Sequence, residues 1–85
     1  MDMISIDQLL NRIKWDKEFG RGVFEIGYYD RVADAVIRVP LADIFYEPDR
    51  KDCFLVMDQD GETHRIPHHR VREVYRDNAL IWQRP

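Results

Sequence analysis

The sequence predicts an α+β domain: an N-terminal helix followed by an antiparallel, barrel-like sheet of about five or six strands built from hairpins. Three observations lead to that class. Apolar residues recur at helical spacing over several turns in the first fifteen positions. Beyond Gly22 they recur in short runs at two-residue spacing. Turn-forming clusters such as Asp58-Gln59-Asp60-Gly61 and Asp77-Asn78 separate those runs at hairpin distances.

The helix is expected over Met3 to Trp15. Ile6, Leu9, Leu10 and Ile13 fall at i, i+3, i+4 and i+7 and so share one stripe. Ser5 or Asp7 can supply the N-cap oxygen, and Lys14 sits in the last turn, where the helix dipole favours a cation. The loop Asp16 to Gly22, with Gly20 and Gly22, ends it. Val23 to Asp30 reads as a strand with Phe24, Ile26 and Tyr28 on one face and Glu25, Gly27 and Tyr29 on the other. Residues 31–34 lead back into a strand over Ala35 to Val39. Pro40 closes that strand and opens a short helical turn through Asp43, burying Leu41 and Ile44.

Tyr46 to Asp52 reads as a charged loop. Cys53 to Met57 and Glu62 to Ile66 form a second hairpin around the 58–61 turn, with Gly61 suited to a positive φ. After Pro67 and the pair His68-His69, residues 71–76 fit either a strand or a helical turn. A third hairpin, 71–76 with 80–84 around Asp77-Asn78, is the favoured reading.

Eighty-five residues with 45% hydrophobic and 34% charged side chains are enough for one globular domain, expected to span the whole chain from 1 to 85. A domain this small buries roughly 60–65% of its unfolded surface, which favours a shallow surface groove over a deep cavity. Cys53, the single cysteine, sits among Phe54, Leu55 and Val56 and reads as a buried apolar residue, with no disulfide to form. The acidic, interrupted N-terminus does not read as a signal peptide, and no apolar run approaches a membrane span, so a cytoplasmic protein without membrane association is expected. The net charge of −3 hides an asymmetry: residues 64–85 hold five arginines against only Glu73 and Asp77. That pattern points to a local anion site on an otherwise acidic body.

Four polar-aromatic clusters lie at the ends of expected elements: Lys14-Trp15-Asp16, Gly27-Tyr28-Tyr29-Asp30-Arg31, Ile66-Pro67-His68-His69-Arg70 and Ile81-Trp82-Gln83-Arg84. His68 and His69 are adjacent and would diverge on a strand, and no HxxxH or HExxH helix exists, so no metal site, cofactor or catalytic residue is expected. His69 can instead hydrogen-bond backbone after Pro67. Asp30 either forms a local ion pair with Arg31 or orients Arg31 or Arg70, whose planar fork grips two phosphate oxygens. Trp15, Trp82 and Tyr28 read as core or core-rim, whereas Tyr29 is the better ring for stacking on a base.

In order and spacing, Lys14-Trp15-Asp16, Gly27-Tyr28-x-Asp30-Arg31, Pro40-Leu41-Ala42-Asp43-Ile44, Ile66-Pro67-x-His69-Arg70-Val71 and Trp82-x-Arg84 resemble the RNA cyclic group end recognition domain family over nearly the full chain. The resemblance implies a stand-alone RNA-binding module. It would recognise phosphorylated RNA 3′ ends, 2′,3′-cyclic phosphates above all, and would work with an RNA-processing enzyme supplied in trans. Arg31 and Arg70 would be the forks, oriented by Asp30, with His69 a further donor, Lys14 a distal charge and Tyr29 the platform. Two other readings stand beside it: a protein–protein adaptor with these motifs as scaffold, and a minimal phosphodiesterase using His69.

Overall fold

The computed structural model of the protein describes residues 4–84. Helix α1 runs Ile6–Trp15. Ser5 caps it through a reciprocal box: its hydroxyl accepts from the Gln8 amide, and the Gln8 side chain accepts from the Ser5 amide. Of the two residues the sequence offered as the cap, Ser5 takes the role. The expected first residue, Met3, lies outside the described residues.

Seven strands follow: β1 (Phe24–Asp30), β2 (Ala35–Pro40), β3 (Phe45–Glu47), β4 (Arg50–Met57), β5 (Thr63–Pro67), β6 (Val71–Arg76) and β7 (Ala79–Gln83). They form two antiparallel sheets, ordered β2-β1-β6-β7 and β3-β4-β5. The fold is therefore α+β with an N-terminal helix, but the expected barrel-like single sheet is corrected to two separate sheets. The division arises because β1 pairs with β2 on one side and with the distant β6 on the other, placing Tyr28 opposite Val71. The segment between them folds on itself as a second layer.

Two 3-10 turns join the layers. Leu41–Asp43 follows Pro40, and His68–Arg70 follows Pro67, each opening where a proline has fixed φ near its helical value. The β6–β7 turn uses Asp77 and Asn78, both at positive φ (49° and 71°), matching the strand twist of a tight hairpin. One expectation fails here: β3 and the start of β4 occupy part of the segment read as a loop. Glu47 pairs with Arg50 across Pro48-Asp49, so the charged stretch is a hairpin.

The core lies between the sheets and under α1. Phe54, Ile26, Val71 and Val74 are fully buried, and Ile6, Leu9, Phe24, Tyr28, Val56, Ile66 and Trp82 close around them. Tyr28 meets Phe54 edge-on, with ring centroids 6.3 Å apart, which ties one layer to the other. Cys53 is buried at the margin of this core. Among the described residues, no helix is long and apolar enough to cross a membrane.

Candidate nucleic-acid interface

The C-terminal motif is structural in both of its named residues. Trp82 is buried, and its indole Nε1–H donates to the Ile4 carbonyl at 2.8 Å, holding the chain where it enters α1. Arg84 donates from Nε to the Val71 carbonyl (2.9 Å) and from Nη2 to the His68 carbonyl (3.3 Å). It thereby fixes the turn His68–Arg70.

The two motif aspartates also have local work. The Asp16 carboxylate accepts from the amides of Glu18 and Phe19, shaping the loop after α1. Asp30 Oδ1 accepts from the amides of Val32 and Ala33, which closes the β1–β2 turn. Among the described residues Asp30 makes no ion pair with Arg31 or Arg70. Tyr29, on the outer face of β1, donates its hydroxyl to Asp34, and the Arg72 guanidinium lies 5.7 Å from its ring centroid. The Asp34 carboxylate, first among several causes, pushes the Tyr29 phenol up.

What is left of the motifs is exposed or half-exposed: Lys14, Trp15, Arg31, His69 and Arg70. Lys14, Arg31, His69 and Arg70 form no hydrogen bond or ion pair through their side chains with other described residues. β1 runs on past Tyr28 to Asp30, paired with β2, whereas the chain before Val71 is the His68–Arg70 turn. Because β1 and β6 are antiparallel, Arg31 and the pair His69-Arg70 lie at the same end of that strand pair. Lys14 lies elsewhere, at the far end of α1. Trp15 is 70% exposed, contrary to its reading as a core residue, because the helical stripe of Ile6, Leu9 and Ile13 turns it outward. Its ring carries the Lys14 ammonium 5.3 Å from the centroid.

Lys14 and Trp15 line a solvent-open groove of about 1080 Å³ between α1, the Leu41–Asp43 turn and the β3–β4 hairpin. That is ample room for a nucleotide. The groove holds the residues that the sequence reading missed. His68 is 8% exposed, with Nδ1 2.5 Å from Asp7 Oδ1 and Nε2 3.0 Å from the Tyr46 hydroxyl. Its ring packs between Phe54 and Tyr46, at centroid distances of 5.9 and 5.7 Å. Burial, and secondarily the Asp7 carboxylate, pushes the Tyr46 phenol up, so the hydroxyl keeps its proton. Lys51 adds a second ammonium, while Asp52 and Glu47 add carboxylates. The inward member of the histidine pair is therefore His68, while His69 is exposed. Successive side chains of a 3-10 turn are about 120° apart, so His68 can face the core while His69 faces solvent.

A third polar cluster sits at the β4–β5 turn, where Asp58, Glu62 and His64 bring their ligand atoms within 4.8 Å of one another. Asp58 Oδ1 accepts from the amides of Asp60 and Glu62, and Oδ2 lies 2.6 Å from His64 Nε2. These bonds hold the turn. The His64 side chain raises no metal pattern in the linear sequence, since the hairpin alone brings the carboxylates to it.

No curated protein and no solved structure shows significant similarity to the chain. The family model described as the MJ1316 RNA cyclic group end recognition domain matches residues 3–84, which is nearly the whole sequence and every motif placed above. With that extent of match, the chain belongs to the MJ1316 RNA cyclic group end recognition domain family.

Proposed function

We propose that the protein is a non-catalytic module that binds phosphorylated RNA ends, with 2′,3′-cyclic phosphate termini as the preferred form. The family's name points to cyclic RNA ends. The observation that carries the reading is what the fold leaves over from the family motifs. Trp82, Arg84, Asp16, Asp30 and Tyr28 are used up in clamps, turns and core. Lys14, Arg31, His69 and Arg70 are left as exposed or half-exposed donors, and Trp15 as an exposed indole.

That remainder suits a short RNA end. The groove takes the terminal nucleotide, with Trp15, 70% exposed, as the stacking ring in preference to Tyr29, whose hydroxyl is already bound to Asp34. Arg31, His69 and Arg70, at the end of the β1–β6 pair, hold phosphate oxygens, and Lys14 supplies charge within the groove. A cyclic phosphate is a monoanion, whereas an open monoester tends toward −2, so charge and shape together separate the two. The acidic body keeps the contact local. In the cell such a module would serve RNA end processing or repair, with the enzyme acting in trans.

The test compares one short RNA bearing a 2′,3′-cyclic phosphate with the same RNA ending in a 3′-hydroxyl, by fluorescence anisotropy at modest salt. The cyclic end is expected to bind at least about tenfold tighter, a difference of about 1.4 kcal/mol. Few phosphate contacts also imply a shallow salt dependence. Equal affinity for the two ends would overturn the reading.

A further inference from the structure

We infer that Tyr46 is the groove's specificity group for a terminal phosphate, and that the Asp7–His68 pair sets whether its hydroxyl donates or accepts. The inference rests on the RNA-end reading above and adds to it a residue, a chemistry and a coupling to protons.

The argument begins with hydrogen counting. His68 Nδ1 lies against the Asp7 carboxylate, which in its ionised form can only accept. Neutral His68 must therefore carry its one proton on Nδ1, leaving Nε2 as an acceptor. The Tyr46 hydroxyl, 3.0 Å away, then donates to Nε2. In that state the phenol oxygen offers the groove only lone pairs. It suits a ribose hydroxyl and repels a phosphate oxygen.

Protonation of His68 reverses the second bond. Nε2–H now donates to the Tyr46 oxygen, whose own proton swings outward as a donor. A phosphate oxygen can then be accepted there, beside the ammonium groups of Lys14 and Lys51 that line the same groove. Binding of a phosphate end at Tyr46 is thus coupled to uptake of one proton at His68.

The surroundings fit a relay held in place. His68 is buried against Phe54, and Arg84 anchors its carbonyl. Tyr46 is 47% exposed and lines the groove. The charged and titratable groups facing the imidazole are Asp7 from α1, Tyr46 from β3 and Asp52 from β4, with the Arg84 guanidinium behind its turn. The same hydroxyl therefore reads a 3′-hydroxyl end in one protonation state and a phosphate end in the other.

Uridine 2′,3′-cyclic phosphate is the suitable probe, because its charge stays at −1 where an open monoester, with its second ionisation near pH 6, would itself titrate. Its affinity is measured by calorimetry from about pH 5.5 to about pH 8, in two buffers of different ionisation enthalpy. The expected result is a fall toward about tenfold per pH unit at the upper end, with about one proton taken up on binding. Tyr46→Phe keeps the ring packed on His68 and should fold; it is expected to weaken binding at low pH and to abolish the slope. His69→Gln removes the other nearby imidazole and is expected to keep the slope. Binding that is independent of pH, or a slope that survives in Tyr46→Phe, would overturn this inference while leaving the RNA-end reading in place. Absence of binding at every pH would overturn both.

Discussion

The outer face of the four-stranded sheet and the groove beside α1 display the same kinds of side chain, yet they are organised in opposite ways. On the sheet, Arg38 lies 3.8 Å over the Tyr75 ring while its Nη2 reaches Glu25 at 2.6 Å and Asn78 at 2.8 Å. Tyr29 has Asp34 on its hydroxyl and Arg72 near its ring. Arg38 there is matched by both a carboxylate and a ring. In the groove, Lys14 and Lys51 have no carboxylate within ion-pair distance among the described residues, and Trp15 is 70% exposed. Arginine and tyrosine on a surface thus say little about function by themselves. What separates scaffold from site is whether the fold already answers their charge.

The comparison can be broken most forcefully at the residue that holds both regions in register. Trp82→Ala removes a buried indole and its hydrogen bond to Ile4, and should cost about 3–5 kcal/mol in denaturant unfolding. Against an ordinary stability of about 4–13 kcal/mol, that is a loss large enough to unfold the domain at the low end of the range. Gly20→Ala is next. A Cβ there would sit 2.4 Å from the Ile13 carbonyl oxygen, a backbone atom that cannot yield cheaply. A loss of about 1–3 kcal/mol is expected, concentrated in the loop after Trp15 and visible as a lowered thermal midpoint.

Two arginine-and-lysine substitutions sharpen the contrast. Arg38→Ala breaks a half-exposed ion pair and a cation–π contact, so about 1 kcal/mol of stability should go, with RNA affinity unchanged. Lys14→Ala should do the reverse: stability within about 0.5 kcal/mol of the parent and affinity for a cyclic-phosphate RNA lowered about tenfold. If both variants lost stability and neither lost RNA, the groove would be as much scaffold as the sheet.

The smallest effect concerns pH. The Asp58 hydrogen bond raises His64 from its ordinary 6.5, so its contribution to stability is present below that value and fades as pH climbs through the raised one. The same bond lowers Asp58 from 3.8, so its contribution is present above that value and fades as pH falls through the lowered one. The pair should therefore help most between about pH 4 and about pH 6.5. Thermal midpoints of the parent and His64→Gln across pH should differ most in that window and converge on either side.

Much of the fold was legible because it is written in local pattern. The stripe Ile6, Leu9, Leu10, Ile13 announced α1, the alternation Phe24, Ile26, Tyr28 announced the inner face of β1, and Asp77-Asn78 announced the last hairpin. The partition into two sheets was not legible, since it depends on β1 choosing β6, more than forty residues away, over β3 or β4. Tyr46 was hidden in the charged stretch that pairs only because Pro48-Asp49 turns the chain back. The choice of His68 over His69 as the inward ring is set by the phase of a three-residue turn, which Asp7, Tyr46 and Phe54 decide by surrounding it. Proline 67 was the available signal for such a turn, but it does not say which neighbour faces in.

Trp82 bonds to a carbonyl 78 positions earlier, and Arg84 holds the very turn that carries His68. A chain cut before β7 would lose both anchors at once. The imidazole would then be unseated and the entry to α1 loosened together, so the groove is the product of one long-range closure and not of its local segments.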